Sequence, residues 1–180
     1  MTRSAPRVLF LALDAGDRDL LWSLADSGAL PTLRKLRDSG VSMTVRNSPG
    51  LFVGSVWPTF ATGVSPDRHG RYCYRQLRSG SYDTPRFHVE SIDGVPFWRT
   101  LSRAGKRVAV FDIPKSSLCR NINGVHVVDW GTHDPDSGFS TEPEGLAAEI
   151  AKDFGTSPLG NSCDVDRSTA EDFIALRNAL

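Results

Sequence analysis

Val8-Leu-Phe-Leu-Ala-Leu-Asp-Ala-Gly16 is the stretch on which the fold reading turns. Its first six residues form a continuous apolar run, the pattern of a central strand buried on both faces in a parallel sheet. The run closes on Asp14. Ligands of open α/β sheets collect outside the carboxyl ends of the strands, so a carboxylate there is placed to hold a metal or a phosphate-bound cation. The competing reading is an Asx turn or a helix N-cap, which aspartate commonly serves. Position alone leaves the two open.

Outward from that run, strand-like and helix-like segments alternate. Leu20, Leu21 and Leu24 recur at helical spacing with Gly28 as a stop, and Leu33 and Leu36 after Pro31 predict a second short helix ending at Gly40. Val41 to Val45 alternates weakly and reads as a second strand. Asn47 to Gly54 is a loop by its Gly, Ser and Pro content, Ser55 to Thr62 a short helix, and Ser65 to Pro85 a polar excursion outside the core. Pro96 to Ala104 predicts a helix capped by Gly105; Arg107 to Ile113 and Gly124 to Asp129 predict two more buried strands. Leu146, Ile150 and Phe154 mark a helix entered near Pro143 and closed by Gly155. Ser168-Thr-Ala-Glu171 makes a capping box ahead of Phe173, Leu176 and Leu180, a last helix. The succession predicts an α/β fold with a central, mainly parallel sheet flanked by helices.

The 180 residues suffice for one ordinary domain with a sizeable core. Lys plus Arg and Asp plus Glu are both 21, so no net field recommends nucleic acid or an anionic membrane as a partner. The run Val8 to Leu13 is too short to span a bilayer or to act as a secretory signal, which points to a cytoplasmic protein. Cys73, Cys119 and Cys163 stand apart without a C-x-x-C pair and read as free thiols of a reducing compartment.

The second chemistry-bearing stretch is Ser55-Val-Trp-Pro-Thr-Phe-Ala-Thr-Gly63, running on to Pro66-Asp-Arg-His-Gly70. A hydroxyl at the mouth of a helix has backbone N–H groups aimed at whatever it attacks, which suits a phosphoryl group. Its alkoxide needs activation, which a bound metal supplies by lowering the pKa. The plainer reading makes Ser55 a helix cap and Thr59 and Thr62 ordinary helix hydroxyls.

Taken together, Asp14 after a first apolar strand and the later W-x-x-x-x-T-G-x-x-P-x-x-H-G resemble the alkaline phosphatase superfamily, in its type I phosphodiesterase/nucleotide pyrophosphatase branch. Trp57, Thr62, Gly63, Pro66, His69 and Gly70 carry the match. The resemblance implies a hydrolase of phosphodiester or nucleotide pyrophosphate bonds acting on a small-molecule phosphoester. It implies two divalent metal ions, zinc in most members, with Asp14 as a ligand of one, and a hydroxyl nucleophile that passes through a covalent phospho-enzyme. His69 belongs to the H-G turn and is not a ligand by resemblance.

Counting back from Thr62-Gly63, the usual nucleophile position falls on Val53, which has no hydroxyl; Ser55, two residues later, takes the role, with Thr59 or no residue as alternatives. Asp129-Trp-Gly-Thr-His133 follows a strand and spaces a carboxylate and an imidazole four apart, like a metal-binding pair of the family. Val128 and Thr132 replace the Pro and Gly found there, so a plain turn competes. His126, inside a strand, reads as an ordinary satisfied imidazole. Because such a paired site needs more ligands than this chain offers, residues 1–180 read as the amino-terminal portion of a single alkaline phosphatase-like domain. Two alternatives remain: a non-catalytic phospho-ligand binder or truncated inactive relative, and a phosphomonoesterase, sulfatase or phosphomutase on the same scaffold.

Overall fold

The computed structural model describes residues 7–14, 16–49, 51, 54–73, 75–86, 94–131 and 137–155. The chain divides into two compact units, residues 1–46 and 47–180.

The first unit is a helical pair. Helix α1, Arg18–Asp26, starts where Asp17 accepts the backbone N–H of Leu20 at 2.8 Å; α2, Pro31–Ser39, begins on the proline whose fixed φ suits a first turn. Arg37 ties them together, lying over the Trp22 ring at 5.3 Å and bonding Asp26 at 2.6 Å. Both helices match the sequence reading.

The two expected strands of this unit do not form among its described residues. Val8 is 89% and Phe10 60% exposed, and Val41, Met43 and Val45 are equally open. A strand exists only as a member of a ladder, and the described residues here provide two helices and no neighbouring strand. Apolarity alone cannot make one.

The second unit carries the sheet. Strands β1, Val108–Phe111, and β2, Gly124–Val128, run parallel, Val108 opposite Gly124 and Phe111 opposite Val127. Strand β3, Ser140–Glu142, joins β2 antiparallel, with Val127 opposite Thr141. The sheet is therefore mixed, in the order β1-β2-β3, and not the mainly parallel sheet expected. The sequence reading missed β3 because its three residues are polar or half-polar and show no apolar alternation.

Among the described residues, four helices accompany the sheet. They are α3, Val56–Thr62; α4, Pro66–His69; α5, Phe97–Arg103; and α6, Leu146–Phe154. Short α4 lies within the stretch read as a polar excursion, yet its His69 is buried, so part of that stretch is core after all. Helix α6 starts at Leu146, three residues after Pro143, with Gly145 as its N-cap residue. The predicted final helix, 168–180, lies outside the described residues.

Ala61, Trp98, Val110 and Cys119 form the buried centre, with Phe60, Ile113 and Ile122 packed against it. A chain of edge-on ring contacts runs through this centre: Trp57–Phe60, Phe60–Phe97, Phe97–Trp98 and Trp98–His126, with centroids 5.1–5.9 Å apart. Such pairs contribute about 0.5–1.5 kcal/mol each beyond the area they bury. They lock α3 to α5 and to the sheet. That fixes the helix at whose start Ser55 sits.

Candidate active site

The stretch Ser55 to Gly70 folds as a knot of two short helices. Gly63 and Gly70 end α3 and α4 in the left-handed region, φ 66° and 72°, a conformation that any Cβ disfavours, and each returns its N–H to the preceding turn. Thr62 Oγ1 donates to the Pro58 carbonyl at 2.7 Å and accepts the N–H of Val64 at 3.1 Å. The family motif thus specifies the turn itself: Thr62 and the two glycines build it, and Trp57 anchors it through Phe60.

His69 is 4% exposed and joins the two helices. Its Nδ1 accepts the backbone N–H of Arg71 at 3.1 Å, and its Nε2 lies 2.9 Å from Thr59 Oγ1. Since Nδ1 is an acceptor, the neutral ring carries its proton on Nε2 and donates to Thr59. Burial holds the imidazolium below its usual range, which keeps this neutral form. An imidazole that donates to Thr59 cannot take the proton of Thr59. His69 in this form is therefore not a base for Thr59.

Ser55 stands at the N-cap of α3 with a helical backbone, and its carbonyl accepts the N–H of Thr59 at 3.1 Å. Ser55 thus occupies the cap position of the plainer reading, without a side-chain bond to the helix N–H groups. The residue is only 3% exposed. Val53 lies outside the described residues.

Asp14 belongs to the first unit and is exposed. The cap of α1 is Asp17 and not Asp14, which stands in a turn. Since Asp14 and Ser55 fall in different units, each stands here on its own local geometry.

The carboxyl ends of β1 and β2 hold two further carboxylates side by side. Asp112 Oδ1 and Oδ2 accept the N–H groups of Trp130 and Gly131 at 2.9 and 2.6 Å. Asp129 Oδ2 accepts those of Ser137 and Gly138 at 2.8 and 2.9 Å. Burial pushes the Asp112 carboxyl above the usual range, with the Asp129 charge adding to the rise and the Gly131 and Trp130 N–H groups opposing it. Sequence reasoning singled out Asp129 and overlooked Asp112. The signal was present, because three apolar runs each close on an aspartate: Asp14, Asp112 and Asp129. Asp129 does form a turn with backbone donors; His133, Asp134 and Asp136 lie outside the described residues.

His126 is buried in β2 as a core imidazole, but it is not fully satisfied as expected: Nδ1 accepts the Cys119 N–H at 3.1 Å, while Nε2 finds no acceptor among the described residues. Cys73 and Cys119 are free thiols, and Cys163 lies outside the described residues. Among the described residues no group of three or more His, Cys, Asp or Glu side chains converges as a metal site would require. These residues therefore do not by themselves assemble the donor set of a metal pair. No helix among them is long and apolar enough to cross a membrane.

The family model described as type I phosphodiesterase / nucleotide pyrophosphatase matches residues 8–173. The chain belongs to that family. The match takes in Asp14, the Ser55–Gly70 knot, Asp112 and Asp129 together. The family is generally metal-dependent and is associated with hydrolysis of small-molecule phosphoesters. No curated protein and no solved structure matches this family member significantly.

Proposed function

We propose that this chain is the amino-terminal portion of an alkaline phosphatase-like domain that hydrolyses phosphodiester or nucleotide pyrophosphate bonds. The observation that carries the reading is the family match over residues 8–173, which includes the folded Ser55–Gly70 knot. Ser55 is the proposed nucleophile: its Oγ forms the new bond to phosphorus as the ester P–O bond breaks, and water then releases the phosphoryl group. Asp14 is the proposed ligand of one of two divalent ions, zinc by family habit; among the described residues no group of three or more candidate donors converges around it.

One observation favours a second reading. Ser55 is almost fully buried, and a chain that binds phosphorylated ligands without cleaving them needs no exposed hydroxyl. Rates on bis(4-nitrophenyl) phosphate, 4-nitrophenyl phosphate and 4-nitrophenyl sulfate, with zinc present, separate the readings. The diester is expected to turn over fastest. Asp14→Ala is expected to lower both bound zinc and diester turnover, the latter by at least about a hundredfold, since even outer partners of metal ligands are worth 10–100-fold. A faster monoester or sulfate would move the chain to another chemistry of the scaffold. Nucleotide binding without turnover, indifferent to zinc, would support the non-catalytic reading.

A further inference from the structure

We propose that His69 is a positioning residue for Ser55, acting through Thr59. Three hydrogen bonds in series carry the argument. The Arg71 N–H donates to His69 Nδ1 at 3.1 Å, His69 Nε2 pairs with Thr59 Oγ1 at 2.9 Å, and the Thr59 N–H donates to the Ser55 carbonyl at 3.1 Å. The first bond fixes the tautomer, because a backbone N–H can only donate. The second ties the first turn of α3 to the end of α4. The third passes that restraint to the residue whose hydroxyl is placed to attack. Each link is shielded: His69 and Ser55 are both buried, and Thr59 is half-buried.

The series gives the imidazole at this position a role through both ring nitrogens. A shorter or apolar side chain could fill the space, but it could not accept from Arg71 and donate to Thr59 at once. Helix α3 needs such a brace. It has only seven residues and its start lacks a side-chain cap. Asp67 and Arg71 are charged groups whose fields reach His69, one favouring and one opposing its charged form, and the Arg71 backbone N–H bonds the ring at Nδ1.

The positioning role rests on the nucleophile reading of Ser55, so the test has two independent parts. The first needs no activity. Nitrogen-15 spectra of His69 at neutral pH are expected to show a proton on Nε2 and none on Nδ1. Amide exchange at Thr59 is expected to quicken by about tenfold or more in His69→Leu and Thr59→Val and to return towards the native rate in His69→Gln, as for a bond freed to open locally. A protonated Nδ1, or unchanged exchange in Thr59→Val, would overturn the proposal. The second part reads turnover of bis(4-nitrophenyl) phosphate. Thr59→Val and His69→Leu are expected to lower kcat about tenfold or more with KM changed less than about twofold, and His69→Gln to restore most of the loss, the mark of a misplaced reacting group. Native kcat in Thr59→Val would contradict it. If the native chain shows no turnover while the exchange results hold, the brace stands and the nucleophile reading falls. Should His69→Leu fail to fold, Thr59→Val carries both parts, since it removes the accepting oxygen and keeps the shape.

Discussion

Gly124→Ala is expected to cost about 3 kcal/mol or more of stability, combining a backbone conformation that L residues avoid with an overlap that cannot be relieved. Gly124 opens β2 opposite Val108, with φ 143°. A Cβ there would run into the carbonyl oxygen of Val108 and crowd that residue's carbonyl carbon and amide nitrogen. Those are backbone atoms, held in place by the Val108 N–H bond to Asn123 at 2.9 Å, so no side chain can swing aside. The affected pairing is β1 with β2, the parallel half of the sheet, and the sheet carries Val110 and the ring contact between Trp98 and His126. In urea the midpoint should fall by about 1–2 M at an ordinary slope. Gly145→Ala makes the control: its φ is −62°, and an added Cβ meets nothing within 4 Å, so it should change stability by less than about 0.5 kcal/mol. Equal midpoints for Gly124→Ala and the native chain would show that this register is wrong.

The second large effect is on acid stability and comes from His126. This ring is 0% exposed, and burial pulls its pKa down from 6.5 to about 4. Protonation would place an N–H at Nδ1 against the Cys119 N–H that now donates to it. In the unfolded chain the imidazole regains its ordinary pKa. Between pH 6.5 and about 4, therefore, the unfolded state takes up a proton that the fold refuses. Stability is full above 6.5 and drains away as pH falls towards 4, with about 2–3 kcal/mol lost from this group over that interval. His126→Asn keeps an acceptor near the position of Nδ1 and cannot titrate. It should be less stable at neutral pH, from the lost ring, yet its urea midpoint should fall distinctly less between about pH 7.5 and about pH 4.5. Parallel losses in both proteins would mean that the imidazole titrates freely.

Much of the helical architecture was legible because punctuation and spacing agreed. Gly40, Gly63, Gly105 and Gly155 all stand at or just beyond helix ends, Pro31 starts one, and the apolar positions between them recur at helical intervals. The strands β1 and β2 were legible as short apolar runs. The run Val8 to Leu13 has the same look and forms no strand among the described residues, since an apolar run states what would suit a ladder and not whether a neighbour is at hand. Strand β3 and helix α4 escaped for the opposite reason: Ser140-Thr-Glu142 and Pro66-Asp-Arg-His69 are polar, and their order comes from contacts rather than from their own patterning.

At the site, the sequence pointed to Ser55 and to the motif that builds its surroundings, but the bond from His69 to Thr59 required the fold of the intervening turn. Asp112 went unnoticed because its strand was read for its apolar residues and not for the carboxylate that ends it. The resemblance reached the family from a handful of spaced residues, since Trp57, Thr62, Gly63, His69 and Gly70 each meet a separate demand of one tight turn.

The central claim, that Ser55 of this family member attacks phosphorus, is tested most directly by comparing turnover of bis(4-nitrophenyl) phosphate, in the presence of zinc, by a full-length form that contains this chain and by its Ser55→Ala variant. Ser55 is almost fully buried, and loss of one hydroxyl leaves the Thr59 N–H bond to its carbonyl untouched, so the variant should keep the fold. The account predicts release of nitrophenolate by the native chain and a rate at least about a hundredfold lower in Ser55→Ala, the scale of losing a group that acts only in the transition state. Equal rates in the two proteins, or no release by either, would contradict it.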